Sequence, residues 1–313
     1  MRHRLVFCLA ISLFTCHAVV LRAQWVPATT PSSWKIWTLA VNGPDLFAGT
    51  TEGLFHSVDN GVTWTAATKG LINTNIRSIA VIGGTLFAGT DGSGVYRSAN
   101  NGASWIAGKG FPNNLGVTSF ASIGTNIFAG TSVGVFESVD NGLTWTSVSN
   151  GLANERFDAI LASGTNLFVG SNTDNAGGGV FLSTDSGASW TEVGLGYLSV
   201  SSLALAGNSA PTLLAGTYTG GAFQATTQGT NWTPSNTGLL DAASGPTITV
   251  LLATGANVYA ASGAGGVVRS TDNGSSWTPI NTGLPIMMVS ALAASSTQLF
   301  AAIDSTVWWR PLP

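Results

Sequence analysis

Charged side chains and cysteine are both scarce in this sequence of 313 residues. Only 8% of the residues are Asp, Glu, Lys or Arg, and the formal net charge is −3. The lysines and arginines form no basic stripe that could neutralise phosphates, which argues against nucleic acid and against an anionic membrane surface as partners. The two cysteines, Cys8 and Cys16, both lie near the N-terminus, so the rest of the chain has neither a disulfide nor a thiolate nucleophile.

Histidine and cofactor-binding motifs are lacking as well. His56 is the only histidine beyond the N-terminal segment, and one histidine does not support a Ser-His-Asp triad or a histidine-ligated zinc site. No P-loop or dinucleotide motif occurs. Asn172, Asp174 and Asn175 offer oxygen ligands, but they lack the spacing of a known calcium loop. We therefore predict neither a cofactor nor a metal.

The N-terminus has the pattern of a secretory signal peptide. Arg2 and Arg4 precede an apolar run from Leu5 to Leu21, and the small residue Ala23 follows it. This arrangement predicts a signal over residues 1–23 and a mature chain over residues 24–313 that has no transmembrane segment. We expect the mature protein to be secreted or periplasmic and to act as a monomer.

Two features leave the processing of this segment open. Ala18 is a second candidate cleavage point besides Ala23. Cys16 follows a sequence that weakly resembles a lipoprotein cleavage box, which leaves a lipid anchor at that cysteine as an alternative. Phe14 and Thr15 are poor residues for the two positions before such a cysteine, so this alternative is the less favoured one.

A short segment with the pattern Leu-Phe-Ala-Gly-Thr recurs through the rest of the chain. Its start advances by about 40–46 residues each time, a period at which one repeat holds a four-stranded sheet. The sequence therefore predicts an all-β fold, a seven-bladed β-propeller of four-stranded antiparallel blades. We name the strands a, b, c and d outward from the axis and assign the recurring segment to strand b. The segment occurs at Leu46–Thr50, Leu86–Thr90, Ile127–Thr131, Leu167–Ser171, Leu213–Thr217, Val258–Ser262 and Leu299–Ile303.

The inner strands and the last repeat give two further predictions. Strand a is almost wholly apolar in several repeats, as in Ala159–Ala162 and Val250–Ala253, which predicts burial on both faces beside the central channel. The seventh repeat lacks a strand d, whereas the segment 24–29 resembles the d strands at 231–235 and 276–280. We therefore predict that the N-terminal strand supplies the outer strand of the last blade, which closes the ring.

A second motif, Ser-x-Asp-x-Gly-x-x-Trp, recurs between strands c and d. The short carboxylate can accept backbone N–H bonds and the glycine can take a positive φ, so the motif predicts a locked turn. The motif is altered at Asn100, and at Ala225, Thr227 and Gln228, which puts those two turns in doubt. The tryptophans are predicted to pack between blades. The predicted turn carboxylates are Asp59, Asp140, Asp185 and Asp272, and the tryptophans are Trp64, Trp105, Trp145, Trp190, Trp232 and Trp277.

In these turns the chain resembles the Asp-box, or BNR, repeat family. Propellers of that family include sialidases, sortilin-type receptors, xyloglucan-degrading enzymes and photosystem II assembly factors. The resemblance covers nearly all of the predicted mature chain. It implies that ligands bind on the face opposite the c–d turns, where the loops from d to the next a and from b to c lie. Candidate residues are therefore those that break the repeat pattern in these loops.

Two loops of the fourth repeat are the strongest candidates. The segment 154–158 is highly charged, and the b–c loop at 172–179 is longer than its counterparts. We predict that Glu155, Arg156, Asp158 and Asp174 converge and bind a sugar, a cation or a peptide. The alternative is a solvated loop in which Arg156 simply pairs with a neighbouring carboxylate.

Two tyrosines in loops of the fifth repeat extend this sector. Tyr197 lies in the loop that leads into that repeat, and Tyr218 lies in its b–c loop. A shallow carbohydrate or peptide cleft combines such rings with carboxylates and amides. The alternative is that both rings rest on neighbouring loops.

Catalytic functions require residues that the sequence supplies poorly. A paired-carboxylate glycosidase would have to use the carboxylates of the fourth repeat. A sialidase would need three arginines around the substrate carboxylate. Arg77 and Arg156 could provide two, with Arg310 as the remaining candidate, because Arg97 and Arg269 are predicted to be exposed on outer strands. The sialidase sequence Arg-Ile-Pro is absent.

These observations favour a non-catalytic binding or scaffolding module for a glycan or protein ligand. A carbohydrate-active hydrolase of the glycosidase or sialidase kind is the alternative. Photosystem II assembly is a third option by resemblance alone, but the dispersed arginines offer no counterpart to the arginine-rich patch of that family.

Overall fold

The computed structural model describes residues 24–28, 30, 33–112, 114–153, 156–172, 178–207, 211–239, 246–263 and 266–312. These residues form strands β1 to β28, arranged as seven four-stranded antiparallel sheets. Each sheet is one blade, and the inner strand of each blade contacts that of the next until β26 meets β2. The predicted seven-bladed β-propeller is therefore confirmed. Among the described residues no helix could span a membrane.

The blades follow one another around the ring in chain order. Blade 1 is β2 Ile36–Asn42, β3 Asp45–Thr50, β4 Leu54–Ser57 and β5 Thr65–Ala66, and blade 2 is β6 Ile76–Ile82, β7 Thr85–Thr90, β8 Val95–Ser98 and β9 Ile106–Ala107. Blade 3 is β10 Val117–Ile123, β11 Asn126–Thr131, β12 Gly134–Ser138 and β13 Thr146–Ser147, and blade 4 is β14 Arg156–Ser163, β15 Asn166–Asn172, β16 Gly179–Ser183 and β17 Thr191–Gly194. Blade 5 is β18 Val200–Ala206, β19 Thr212–Thr217, β20 Ala222–Ala225 and β21 Thr233–Pro234, and blade 6 is β22 Ile248–Thr254, β23 Asn257–Ser262, β24 Gly266–Ser270 and β25 Thr278–Pro279. Blade 7 is β26 Val289–Ala294, β27 Gln298–Ile303, β28 Thr306–Pro311 and β1 Val26–Pro27.

The second strand of each blade forms the core of the sheet. Every residue of β7 is buried, and the other b strands are buried from their second residue to at least their sixth. Blades pack on both faces of these strands, which explains their continuous apolar sequence. The glycine in the motif allows close approach of the next blade, because a Cβ at Gly170 would lie 2.5 Å from Cγ1 of Val200.

The N-terminal strand completes the last blade, as predicted. β1 pairs antiparallel with β28, with Val26 opposite Trp309. Trp25, just before β1, is 2% exposed, and its Nε1 donates to the carbonyl of Ile280 at 2.7 Å. The guanidinium of Arg310 lies 5.8 Å from the centre of the same ring. The two ends of the described chain therefore share one sheet and one apolar cluster.

Hydrogen bonds within the c–d turns match the chemistry expected from the sequence. In the third turn, Ser138 Oγ donates to Asp140 Oδ1 and accepts from the N–H of Gly142. Asp140 also accepts from the N–H and the hydroxyl of Thr144, and these bonds lower the pKa of Asp140 to about 2, the Thr144 hydroxyl having the largest effect. Asn141 and Gly142 have φ of 58° and 81°.

The two altered turns differ from this pattern to different degrees. In the second turn, Asn100 Oδ1 still accepts from Ser98 and from the N–H of Ser104, so the amide replaces the carboxylate. The fifth turn has no carboxylate or amide at this position. Gly229 N–H donates to the carbonyl of Thr226, and the hydroxyls of Thr226 and Thr230 share a hydrogen bond of 3.3 Å. The doubt raised by the sequence therefore applies fully only to the fifth turn.

The motif tryptophans pack between blades, as predicted. The indoles of Trp105, Trp190 and Trp277 donate to backbone carbonyls of the preceding blade at 2.7–2.8 Å. Trp64 and Trp145 instead donate within their own turns. All are buried or half-buried, and each therefore contributes apolar contact across a blade interface.

The inner strands differ from the prediction. They are longer than the apolar segments suggested, and many of their residues are only half-buried because one face lines the central channel. Each also contains a β-bulge near its start, which period-two alternation cannot reveal. These bulges form the candidate site.

Candidate functional site

The β-bulges place one residue from every blade at the same level of the channel. In blade 1, Ile36 pairs with Thr50 and Thr38 with Gly49, so Trp37 is the extra residue. The same shift occurs in the other six blades. A bulge redirects its side chain, and here all seven line one cavity of about 300 Å³. These ring positions are Trp37, Arg77, Thr118, Asp158, Ser201, Thr249 and Ser290.

We call this cavity the funnel. Arg156, Tyr218 and Met288 complete its lining. It lies where the inner strands begin, and the antiparallel order places the c–d turns at the opposite end of each blade. A second cavity of about 280 Å³ shares the seven ring positions and extends along the inner strands to Leu39, Ile160, Leu203 and Leu292. Its wall also includes Thr38, Ser119 and Ser202, so apolar and hydroxyl side chains alternate there.

Four ring positions have a structural role. The hydroxyls of Thr118, Ser201, Thr249 and Ser290 each donate to a carbonyl at the start of the next inner strand. Ser290, for example, donates to Ile36 at 2.7 Å and so links blade 7 to blade 1. Blade 2 makes the equivalent bond from the following residue, Ser78, to Val117 at 2.9 Å. The Ser and Thr residues at these positions therefore serve to link neighbouring blades.

The remaining three positions, Trp37, Arg77 and Asp158, break this pattern. Asp158 has a side chain that is only 7% exposed. Its Oδ1 accepts from Arg156 Nε at 2.6 Å, and its Oδ2 accepts from Asn172 at 2.6 Å and from the hydroxyl of Tyr218 at 3.3 Å. The carboxylate is thus held by three donors from blades 4 and 5.

Tyr218 connects the fifth blade to this carboxylate. Burial raises the pKa of Tyr218 to about 12, and the negative charge of Asp158 acts in the same direction. The phenol therefore stays protonated near neutral pH and serves as a donor. Its own backbone is fixed, because its N–H donates to Ser199 and its carbonyl accepts from Thr247.

Trp37 and Arg77 form the other polar part of the funnel. The guanidinium of Arg77 lies 4.3 Å from the centre of the Trp37 ring, and Lys35 Nζ lies 4.1 Å from it. These are cation–π distances. Arg77 also pairs with Asp91 at 3.2 Å. The Nε1 atom of Trp37 is buried and has no hydrogen-bond partner in the described part of the chain.

The structure brings together three of the residues predicted for the site: Arg156, Asp158 and Tyr218. The pairing of Arg156 with Asp158 is the local ion pair that the sequence offered as the alternative. Glu155 and Asp174 lie outside the described residues. Tyr197 is 79% exposed and does not line the funnel.

The arginines expected on outer strands are placed differently from the prediction. Arg97 and Arg269 are half-buried rather than exposed, and Arg269 Nε donates to Asn257 at 2.8 Å. Arg310 is 9% exposed and packs on Trp25 in the last blade. Of the three arginines considered for a sialidase, only Arg77 and Arg156 line the funnel.

Sequence reasoning missed Trp37. The seven inner strands can be aligned on the residue that pairs with the end of strand b. The position after that residue is Ser or Thr in most repeats. Trp37 would then have stood out together with Arg77 and Asp158. Across the described residues, no group of three or more His, Cys, Asp or Glu side chains could hold a metal ion.

Comparisons with known proteins identify the fold only. No protein-family model matches the chain, and no curated protein matches its sequence. Among solved structures it is similar to the GH74 xyloglucanase from Xanthomonas campestris, with 17% identity, 92% of this chain and 53% of that one covered, and a TM-score of 0.70. The chain thus spans about half the length of that enzyme.

Two other solved structures have the same architecture. YCF48 bound to D1 peptide is 16% identical, with 92% of this chain and 97% of that one covered and a TM-score of 0.69. The extracellular domain of BT4673, a putative hybrid two component system from B. thetaiotaomicron, is 17% identical, with 92% and 39% covered and a TM-score of 0.74. The neighbours therefore include an enzyme and a peptide-bound protein, and this fold by itself does not decide between such functions.

Proposed function

We propose that this chain is an exported β-propeller of the Asp-box type that binds a glycan or protein ligand in the funnel and catalyses no reaction on it. The supporting observation is the state of Asp158, the one carboxylate among the described residues that line the funnel. Both of its oxygens accept hydrogen bonds from neighbouring side chains. A glycosidase instead requires two carboxyl groups flanking the scissile bond, one of them able to exchange a proton.

The arrangement around Tyr218 also favours binding over catalysis. Some sialidases use a tyrosine nucleophile. Here the pKa of Tyr218 is raised to about 12, mainly by burial, and the phenol donates to Asp158. A phenol held in this state is a poor nucleophile near neutral pH. Among the described residues two arginines line the funnel, whereas the sialidase site needs three.

The funnel has the composition of a recognition site. It combines the Trp37 ring, two guanidinium groups and a thioether in one concave surface at the centre of the molecule. Tryptophan and arginine carry much of the binding energy at protein interfaces. The ring of inner strands that positions them is held by interblade hydrogen bonds, so the site is rigid before a ligand arrives.

The other parts of the proposal rest on the sequence. Export rests on the N-terminal signal pattern, and the Asp-box assignment rests on the recurring c–d turn motif. The proposed active form is a monomer, which sedimentation velocity checks directly. Solved propellers of this architecture include a xyloglucanase and a peptide-bound protein, so both glycan and protein ligands are compatible with the fold.

Glycan and peptide arrays test the binding proposal. The wild-type protein is applied to both, and each hit is measured again with Trp37→Ala and with Trp34→Ala. Trp34 lies three residues earlier, is 48% exposed and does not line the funnel, so it is a matched control. We expect Trp37→Ala to weaken binding at least about tenfold, as for a central aromatic anchor, and Trp34→Ala to leave it unchanged. If Trp37→Ala and Trp34→Ala both bind as tightly as the wild type, the ligand binds outside the funnel.

The hydrolase alternative has its own test. Purified protein is incubated with a panel of aryl glycosides, and release of the aryl group is followed by absorbance. We expect no turnover of the aryl glycosides above that of a heat-denatured sample. Turnover that disappears in Asp158→Asn, a variant of the same size and shape, would overturn the non-catalytic assignment.

A further inference from the structure

The hydrogen-bonding capacity of the funnel restricts the chemistry of its ligand. A hydroxyl has one hydrogen, and the ring hydroxyls of Thr118, Thr249 and Ser290 each direct theirs to a backbone carbonyl. Asp158 already accepts three hydrogen bonds. The lining therefore has few donors among its hydroxyls and little free acceptor capacity at its carboxylate.

The accessible donors that remain in the described lining are the N–H groups of Arg77 and Arg156. Arg156 bonds Asp158 through Nε only, its terminal nitrogens have no partner in the described residues, and its side chain is 47% exposed. Arg77 directs its bonds to one oxygen of Asp91, although a guanidinium carries five N–H donors. Trp37 Nε1 also lacks a partner within the described residues, but this atom is buried and is not available to a ligand. The two guanidinium groups therefore match an anionic acceptor, most directly a carboxylate.

An exposed apolar segment precedes the inner strand of blade 7, next to the blade that carries Trp37. Met288 lines the cavity and is 45% exposed, and Ile286 and Met287 before it are 76% and 47% exposed. Three consecutive exposed apolar residues at the mouth of a cavity mark a contact surface. Methionine adapts to varied apolar side chains and is common at peptide-binding surfaces. Isoleucine and methionine give a neutral sugar nothing to hydrogen-bond.

We propose that the funnel binds an acidic peptide segment, with a carboxylate against Arg77 and Arg156 and an adjacent apolar side chain against Trp37 and Met288. This inference rests on the proposed binding function and specifies its ligand. The charges are compatible with it. Each of the two guanidinium groups is paired with one carboxylate, Arg77 with Asp91 and Arg156 with Asp158. Lys35 against Trp37 adds one further positive charge among the described residues. A cavity of about 300 Å³ accepts one or two side chains of a segment rather than a folded surface.

Fluorescence anisotropy with three labelled peptides tests the inference. The probe is Gly-Ser-Leu-Asp-Leu-Asp-Ser-Gly, and its analogues replace both Asp by Asn or both Leu by Ala. An oligogalacturonate is the competing probe, because it carries carboxylates without apolar side chains. The protein is used as wild type, Arg77→Gln, Met288→Ser and two controls. Arg97→Gln makes the same charge change in the same blade outside the funnel, and Ile72→Ser removes an apolar side chain that is 86% exposed elsewhere.

We expect the acidic peptide to bind best and the Asn analogue to bind about tenfold more weakly, the effect of losing one charge-assisted hydrogen bond. Arg77→Gln should weaken the acidic peptide by a similar factor and should leave the Asn analogue unchanged. Met288→Ser should weaken the Leu peptide but not the Ala analogue. Arg97→Gln and Ile72→Ser should bind like the wild type.

Equal affinity for the Asp and Asn peptides would overturn the inference. So would tighter binding of the oligogalacturonate than of the acidic peptide, which would assign the site to an anionic glycan. If an array ligand binds through Trp37 while the acidic peptide does not, the inference fails and the proposed binding function stands. If no array ligand and no peptide binds, both fail.

Discussion

Replacing Trp25 by Ala should reveal how much the N-terminal strand contributes to the stability of the ring. Trp25 is 2% exposed and packs in the apolar cluster of blades 6 and 7. Burial of a tryptophan removes about 150–250 Å² from water, which at about 25 cal/mol per Å² corresponds to about 4–6 kcal/mol. Measured Trp→Ala changes in cores cost about 3–5 kcal/mol, and we expect a loss in that range.

The hydrogen bond of the indole adds a smaller and separable contribution. The carbonyl of Ile280 accepts from Trp25 Nε1 at 2.7 Å and also from Arg310 Nη1 at 2.9 Å. Trp25→Phe would therefore leave this carbonyl with one donor. We expect the lost bond to lower the free energy of unfolding by only about 0.5–1.5 kcal/mol, in addition to the cost of the smaller buried apolar area.

Calorimetry and chemical denaturation measure both effects. For a domain of this size, a loss of about 3–5 kcal/mol lowers Tm by about 6–10 °C. Deletion of residues 24–30 should lower Tm at least as much, because it also removes the pairing of Val26 with Trp309. Tyr197→Ala is the control, since that ring is 79% exposed and should change Tm by less than about 1 °C. An unchanged melt of Trp25→Ala or of the deletion would refute the closure.

Three further predictions concern blade packing and the turns. Gly170→Ala should lower the free energy of unfolding by about 1–3 kcal/mol because the new Cβ would lie 2.5 Å from Val200. In denaturation curves, adding Val200→Ala should recover part of this loss. If the losses of the two single variants simply add in the double variant, the contact is contradicted. Ser290→Ala should cost about 0.5–1.5 kcal/mol by removing the bond to Ile36, and an unchanged free energy of unfolding would show that the bond adds nothing. The pKa of Asp140 is lowered to about 2, chiefly by the Thr144 hydroxyl, so the contribution of the ionised carboxylate to stability is complete above about pH 4 and is lost toward pH 2. The difference in Tm between wild type and Asp140→Asn should therefore shrink as the pH falls from about 4 to about 2. A difference that stays constant would contradict this prediction.

The sequence was sufficient for most of the fold because all seven repeats carry the b-strand segment and six of them carry the c–d turn motif, which is altered in two. The glycine of strand b fits where the next blade comes within contact of its backbone, as at Gly170. The Ser and Asp of the c–d turns form the expected bonds, as at Ser138 and Asp140. The missing outer strand of the last repeat could be matched to the segment around Trp25 because its sequence resembles the other d strands.

The site was only partly predictable, for a physical reason. Arg156, Asp158 and Tyr218 were found because they break the repeat pattern. Arg156 and Asp158 were expected in the loop before the inner strand, but they lie within β14, and only Tyr218 is in a loop. Trp37 was missed because a bulge, not an alternation of apolar and polar residues, turns it into the funnel. The inner strands are only half-buried along much of their length because one face lines the central channel, and their apolar sequences do not reveal this.

A co-crystal structure of the protein with the tightest ligand from the glycan and peptide arrays shows directly whether the ligand is held in the funnel. We expect ligand density within contact of Trp37 and Arg77, with the hydrogen bonds from Arg156 and Tyr218 to Asp158 retained. Density on the c–d turn face or on the outer strands, with an empty funnel, would contradict it.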